Sequence, residues 1–193
     1  MELMGWAVYN QVFISHSKDD PNLDFFHRVF SGLKTKAVWM EFEEIKPPPH
    51  QTIKNFVNQS DALFVLLSEP LLRKLYTANW VSFEIGLAAN WRSPYLISRI
   101  IQDRIDVYVF EPYQNPVDYA VPYCTYYMLY TGSVEELKFL RKLIENAPFH
   151  NMGIPIKCPY EGCSIEFKLL TDLNEFKCPA CRRMMKRTTY TTV

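Results

Sequence analysis

The strongest constraint on how this chain can fold is the unbroken apolar run ALFVLL at residues 62–67. A strand with one wet face alternates polar and apolar side chains. A continuous run needs burial on both faces, as in a central parallel strand covered by helices. Further strand candidates are 11–15 (QVFIS), 37–42 (AVWMEF), 105–110 (IDVYVF) and 123–130 (YCTYYMLY). Helical patterns separate them. Leu23, Phe26, Phe30 and Leu33 recur at helical spacing after Asp20 and Pro21, read as a cap and a first helical position. Ile53, Phe56 and Val57 mark a short helix beyond the loop of Pro47, Pro48 and Pro49. Residues 79–91 form a longer one with Phe83, Leu87 and Trp91 on a stripe. Ser133 and Glu136 have capping-box spacing ahead of Leu137, Leu140 and Ile144. This alternation predicts an α/β fold: an open parallel five-stranded sheet flanked by helices.

A second signal lies near the C-terminal end. Cys158, Cys163, Cys178 and Cys181 are spaced Cys-x4-Cys, 14 residues, Cys-x2-Cys. Two short pairs of thiolates can close a tetrahedral shell, the structural kind of zinc site, with no open position for catalysis. Phe167, Leu169, Leu170 and Phe176 lie in the gap, enough for a small hairpin beside the metal. So short a unit buries little apolar surface, and metal binding would supply most of its folding energy. The segment resembles a zinc ribbon. Pro148, Gly153 and Pro155 read as a linker, giving an α/β domain over 1–147 and a ribbon over 154–193. Cys124, alone on an apolar strand, reads as a small buried hydrophobe.

The 21 basic and 21 acidic side chains cancel, so no global field draws the chain to nucleic acid or an acidic membrane. No signal-peptide pattern opens the sequence and no apolar run is long enough to span a bilayer. With paired cysteines read as metal ligands, these features predict a cytoplasmic protein with no membrane partner.

In open α/β sheets, ligands sit beyond the carboxyl ends of the strands. There the sequence places Ser15, His16, Ser17, Lys18, Asp19 and Asp20, then Glu43 and Glu44, then Ser68 and the helix carrying Trp80 and Glu84. Trp80 and Glu84, four apart, share a helical face. The opening VFISHSKDD, the proline loop, DALFVLLS and the Trp-x-x-x-Glu of NWVSFEIGLA, in that order, resemble a TIR domain over about residues 10–147. Val81 stands where that family often has Cys, and His16 where many members have Tyr.

The resemblance implies one of two activities. Some TIR domains are scaffolds. Others cleave NAD at the nicotinamide–ribose bond, giving nicotinamide and ADP-ribose or a cyclic ADP-ribose signal, often in prokaryotic antiviral defence that activates a protein effector. In the enzymes a Glu of the Trp-x-x-x-Glu helix is required, and it maps onto Glu84. A carboxylate there suits an oxocarbenium-like ribose. Ser15 and His16 would contact ribose or phosphate, and Trp80 would form an aromatic wall. Such enzymes act as homo-oligomers in which the loop after the second strand completes a neighbour's site. Two other readings stand beside this one: an adaptor that binds only proteins, and a ribbon that contacts nucleic acid through Lys177, Arg182, Arg183, Lys186 and Arg187.

Overall fold

A computed structural model describes residues 9–40, 50–73, 75–90, 105–146 and 152–187. The proline loop at 47–49, with Glu43, Glu44 and Trp91, lies outside the described residues. The chain runs β1 (Gln11–Ser15), α1 (Leu23–Phe30), β2 (Lys36–Trp39), α2 (His50–Asn58), β3 (Ala62–Leu66), α3 (Glu69–Arg73), α4 (Leu75–Asn90), β4 (Asp106–Pro112), β5 (Tyr126–Tyr130), α5 (Val134–Glu145), β6 (Ile154–Lys157), β7 (Glu166–Leu169), β8 (Glu175–Lys177) and β9 (Met184–Lys186).

One mostly parallel sheet organises the molecule, in the order β2-β1-β3-β4-β5-β7-β6. Its first five strands follow the flavodoxin-like 2-1-3-4-5 order. The apolar run forms the interior strand β3, buried along its whole length and paired in parallel with β1 and β4. Alternate side chains feed two cores. On one face, Val12, Ile14, Phe64 and Phe110 pack with Phe26 and Val29 of α1 and Leu140 and Ile144 of α5. On the other, Phe13, Leu63, Val65 and Val109 pack with Ile53 and Val57 of α2 and Val81, Ile85 and Ala88 of α4.

The sheet has seven strands where the sequence predicts five. The first part of the cysteine-bearing segment does not stand apart: β7 adds in parallel to β5, and β6 adds antiparallel to β7. The reason lies in β5, whose residues are all buried. An edge strand with that composition would leave apolar surface and unpaired backbone groups exposed. The expected hairpin within the cysteine gap is replaced by two hairpins, β6–β7 and β8–β9. Phe167 and Phe176 both pack on Tyr127 of β5, at ring separations of 5.9 and 6.3 Å. The seven-stranded sheet thus takes in strands from both sides of the expected linker, and β8–β9 forms a separate two-stranded sheet.

Local signals differ in how well they place element ends. The Ser133–Glu136 capping box is present in both directions. The start of α1 departs from expectation: Asn22, not Asp20, is its N-cap, and the Asp20 carboxylate accepts the Asn22 N–H at 2.8 Å in the preceding turn. Between β4 and β5 residues 113–125 form no helix, and their Val117, Val121 and Cys124 are buried against the α4 face of the sheet.

Candidate functional site

The chain leaves β1 through α1 on one face and returns to β3 through α2 on the other. The carboxyl ends of β1 and β3 therefore flank a topological switch point, where doubly wound sheets open a crevice. Buried polar side chains concentrate there: Ser15 at the end of β1, His16 and Ser17 just after it, Asp20 in the next turn, Ser68 after β3, and Glu84 on α4. The hydroxyls of Ser15, Ser17 and Ser68, Oδ2 of Asp20 and both carboxyl oxygens of Glu84 are sealed from solvent and make no hydrogen bond of normal geometry among the described residues. Buried polar atoms are almost always satisfied, so such a cluster marks a place that water or a ligand completes.

Glu84 is the most perturbed of these groups. It is 0% exposed. Burial raises its pKa to about 8, against a smaller opposing pull from the Ser15 hydroxyl. That hydroxyl is near enough to favour the charged form, yet short of a formed bond. Asp20 is also raised, by burial first, with the Asn22 N–H, the Ser68 hydroxyl and His16 acting the other way. Two carboxyls and three hydroxyls around the ends of two adjacent strands, with Glu84 on α4 and Asp20 in the turn after β1, can bind a ligand rich in hydroxyls, and a carboxyl starved of solvation can stabilise positive charge.

The structure brings Ser15 and Glu84 together on the α4 face of the sheet. His16, one residue on, turns towards β2. Its ring packs edge-on to Trp39 at 5.5 Å, and its Nδ1 lies 3.1 Å from the Ser17 carbonyl. Trp80 is buried against His50 of α2 at 4.8 Å and Phe83 at 5.6 Å, so its described ring contacts belong to the α2–α4 packing. Ser17, Asp20 and Ser68, which the sequence places at the strand ends without a binding role, join this buried polar group. Glu84 itself carried a usable signal, being the one charged residue in the apolar stretch 75–90.

The second site is the cysteine quartet. The four sulfurs lie within 4.8 Å of one another, with Cys158–Cys181 at 3.8 Å and Cys163–Cys178 at 3.9 Å. Four thiolates at zinc's bond length would stand about 3.8 Å apart along the tetrahedron's edges. A disulfide would need about 2.05 Å. The quartet therefore fits a tetrahedral metal ion. Backbone N–H groups of Ala180 and Cys181 point at the Cys178 sulfur, that of Tyr160 at Cys158, and that of Arg183 at Cys181, each favouring thiolate. Burial pushes the Cys158 thiol up to about 11, whereas at Cys181 burial is outweighed by the Arg183 N–H and side chain together with the Cys178 and Cys158 sulfurs, which lower it to about 7. Gly162, at φ +79°, closes the first turn in a conformation that L side chains rarely adopt.

The basic tail is largely engaged within its own unit. Lys186 pairs with Glu175 and Arg187 with Asp172, each at 3.2 Å, and Arg183 lies over the Tyr160 ring at 4.5 Å. Arg182 turns inward and grips Glu111 with both terminal nitrogens, at 3.0 and 2.6 Å. Glu111 is fully buried, and also accepts the Tyr127 hydroxyl and, at 2.5 Å, the Val117 N–H. Among the described residues no helix is long and apolar enough to cross a membrane.

Comparison of the chain with protein-family models, curated proteins and solved structures finds no match.

Proposed function

We propose that this protein cleaves the nicotinamide–ribose bond of NAD, with Glu84 as the carboxylate at the reacting sugar and a structural zinc ion on Cys158, Cys163, Cys178 and Cys181. The observation that carries the reading is the buried Glu84, with both carboxyl oxygens unsatisfied, at the switch point of the sheet. Its position in the Trp-x-x-x-Glu pattern, and the resemblance to TIR enzymes, turn a polar crevice into a specific reaction.

The chemistry asks little of a general acid. The bonding pair between ribose C1′ and the pyridinium nitrogen departs with nicotinamide, which becomes neutral. The ribose is left with positive charge spread over C1′ and the ring oxygen, and a carboxylate beside it lowers that barrier. Water then adds at C1′ and releases a proton, giving ADP-ribose. An adenine nitrogen or a ribose hydroxyl in water's place gives a cyclic product, which a crevice that excludes water favours. Glu84, protonated at neutral pH in the unliganded protein, ionises as the cationic ring approaches. The Ser15 hydroxyl, beside that carboxyl, would orient it. The zinc ion would hold the two cysteine turns together and take no part in the reaction. The setting proposed is cytoplasmic, in prokaryotic antiviral defence, with the chain acting as a homo-oligomer.

The test is nicotinamide release from NAD by the zinc-loaded protein at high concentration, beside Glu84→Gln, with products separated chromatographically. Release by the wild type and none by the folded variant is expected. Equal release by both would overturn the assignment to Glu84. No release by either, under conditions that assemble the chain, would leave the adaptor reading in its place.

A further inference from the structure

The segment 113–125 covers the same face of the sheet as α4 and is held from both sides. From the cysteine side, Arg182 donates to the Val117 carbonyl at 2.6 Å while gripping Glu111, whose Oε1 accepts the Val117 N–H. The Val121 N–H donates to the carbonyl of Pro179, inside the Cys178–Cys181 turn, at 2.9 Å. On the other side, the Tyr119 hydroxyl donates to the Ala78 carbonyl at 3.1 Å and lies 2.5 Å from the Ser82 hydroxyl. Ala78 and Ser82 belong to α4, and Ser82 is two residues from Glu84. The charge of Glu84 is also felt at Tyr119.

A set of direct contacts therefore runs from the sulfur-bearing turn to the middle of α4, the helix that carries Glu84. Its first link is conformationally costly. Arg182 has φ +60°, the one non-glycine residue at positive φ among those described. Glycine would take that conformation without strain but could not reach Glu111. The turn that fixes this backbone, with Arg182 N–H donating to the Cys178 carbonyl at 3.0 Å, is the one the metal ligands close.

We propose that Arg182 and Tyr119 are positioning residues that couple the metal state of the cysteine cluster to Glu84. With a metal ion bound, the Cys178–Cys181 turn is closed, and Pro179 and Arg182 fix segment 113–125. Tyr119 then pins the middle of α4, so that Glu84 faces Ser15. Without metal the turn opens, segment 113–125 loosens, and α4 loses its outer restraint. The cluster thus acts as a conformational clamp on a distant carboxyl, a role beyond stabilising its own fold. The consequence for catalysis rests on the reading of Glu84 above; the coupling itself does not.

The experiment is backbone hydrogen exchange followed peptide by peptide on the full chain, without substrate, so failure of the NAD reading leaves it untouched. Wild type and Tyr119→Phe are each measured zinc-loaded and after removal of zinc by a chelator. Tyr119→Phe keeps the ring and removes only the hydroxyl. In wild type, zinc removal is expected to speed exchange in the middle of α4 about tenfold, on the scale of one lost hydrogen bond. Zinc-loaded Tyr119→Phe should show the same acceleration with its zinc content unchanged. Zinc removal should then add nothing further in α4, although 113–125 still responds. Indifference of α4 to zinc in the wild type, or an equal response in both proteins, would overturn the proposal. If zinc removal unfolds the whole sheet, seen as faster exchange in β1 and β3 as well, the two zinc-loaded proteins decide. Identical α4 exchange in them refutes the coupling.

Discussion

Glu84→Gln should stabilise the protein, and by an amount that grows with pH. Burial raises the Glu84 pKa from 4.5 to about 8. The folded state therefore holds its proton where the unfolded state has already released it. The sign follows from that difference: stability from this group is complete below the unfolded pKa and is lost as pH rises through the folded one. At 1.36 kcal/mol per unit, the full loss is about 5 kcal/mol. Glutamine keeps the shape and cannot ionise, so it escapes this loss. The advantage of the variant over wild type should be under about 1 kcal/mol near pH 5 and about 4 kcal/mol near pH 8. Urea denaturation of both proteins across that range, in zinc-buffered solution, measures it. Other titrating groups, the cysteines included, are common to both proteins and cancel in the difference. A stability difference that stays flat from about pH 5 to pH 8 would refute the reasoning, because Glu84 would then titrate alike folded and unfolded.

Under the proposed reading of NAD as substrate, the same pKa predicts how its binding depends on pH. A ligand that carries positive charge to Glu84 must expel its proton, so apparent affinity should rise with pH and level off above about 8; titration calorimetry in buffers of different ionisation heat would register the released proton. Glu111→Ala should cost about 3–5 kcal/mol, the penalty for leaving Arg182 buried without its partner, and Glu111→Gln should cost less; thermal melts with zinc present report both. Cys178→Ser should reduce zinc content well below one ion per chain by elemental analysis and weaken exchange protection in β8 and β9. Ser133→Ala removes the side-chain acceptor of the α5 capping box and should cost about 1 kcal/mol in denaturation experiments.

Much of the parallel sheet was legible because its signals act over a few residues. The run 62–67 marked an interior strand, since an edge strand does not have both faces and both edges covered. Ser133 and Glu136 marked the start of α5 because a capping box is complete within four residues. The helical start at Asp20 misled for a related reason: an Asp before Pro can close a turn or cap a helix, and its side chain here serves the preceding turn. The proximity of the cysteine sulfurs was anticipated by spacing, since short chelate loops restrict where paired thiolates can go.

The rest depended on neighbours remote in sequence. That β5 is not an edge follows from β7 docking beside it, in a segment the sequence presents as an appendage. Glu84 could be named from its motif, but its raised pKa comes from burial in the folded chain, against which the Ser15 hydroxyl at the end of β1 acts. Arg182 looked like part of a basic surface, and only the fold sets it against Glu111, 71 residues away. The chain alone determined periodicity, caps and chelate spacing, because these are set by covalent geometry and local hydrogen bonding. Tertiary structure decided which strands became edges, which charges lost their water and which found partners. Desolvation and ion pairing are set by what surrounds a group in space, and no local pattern encodes that.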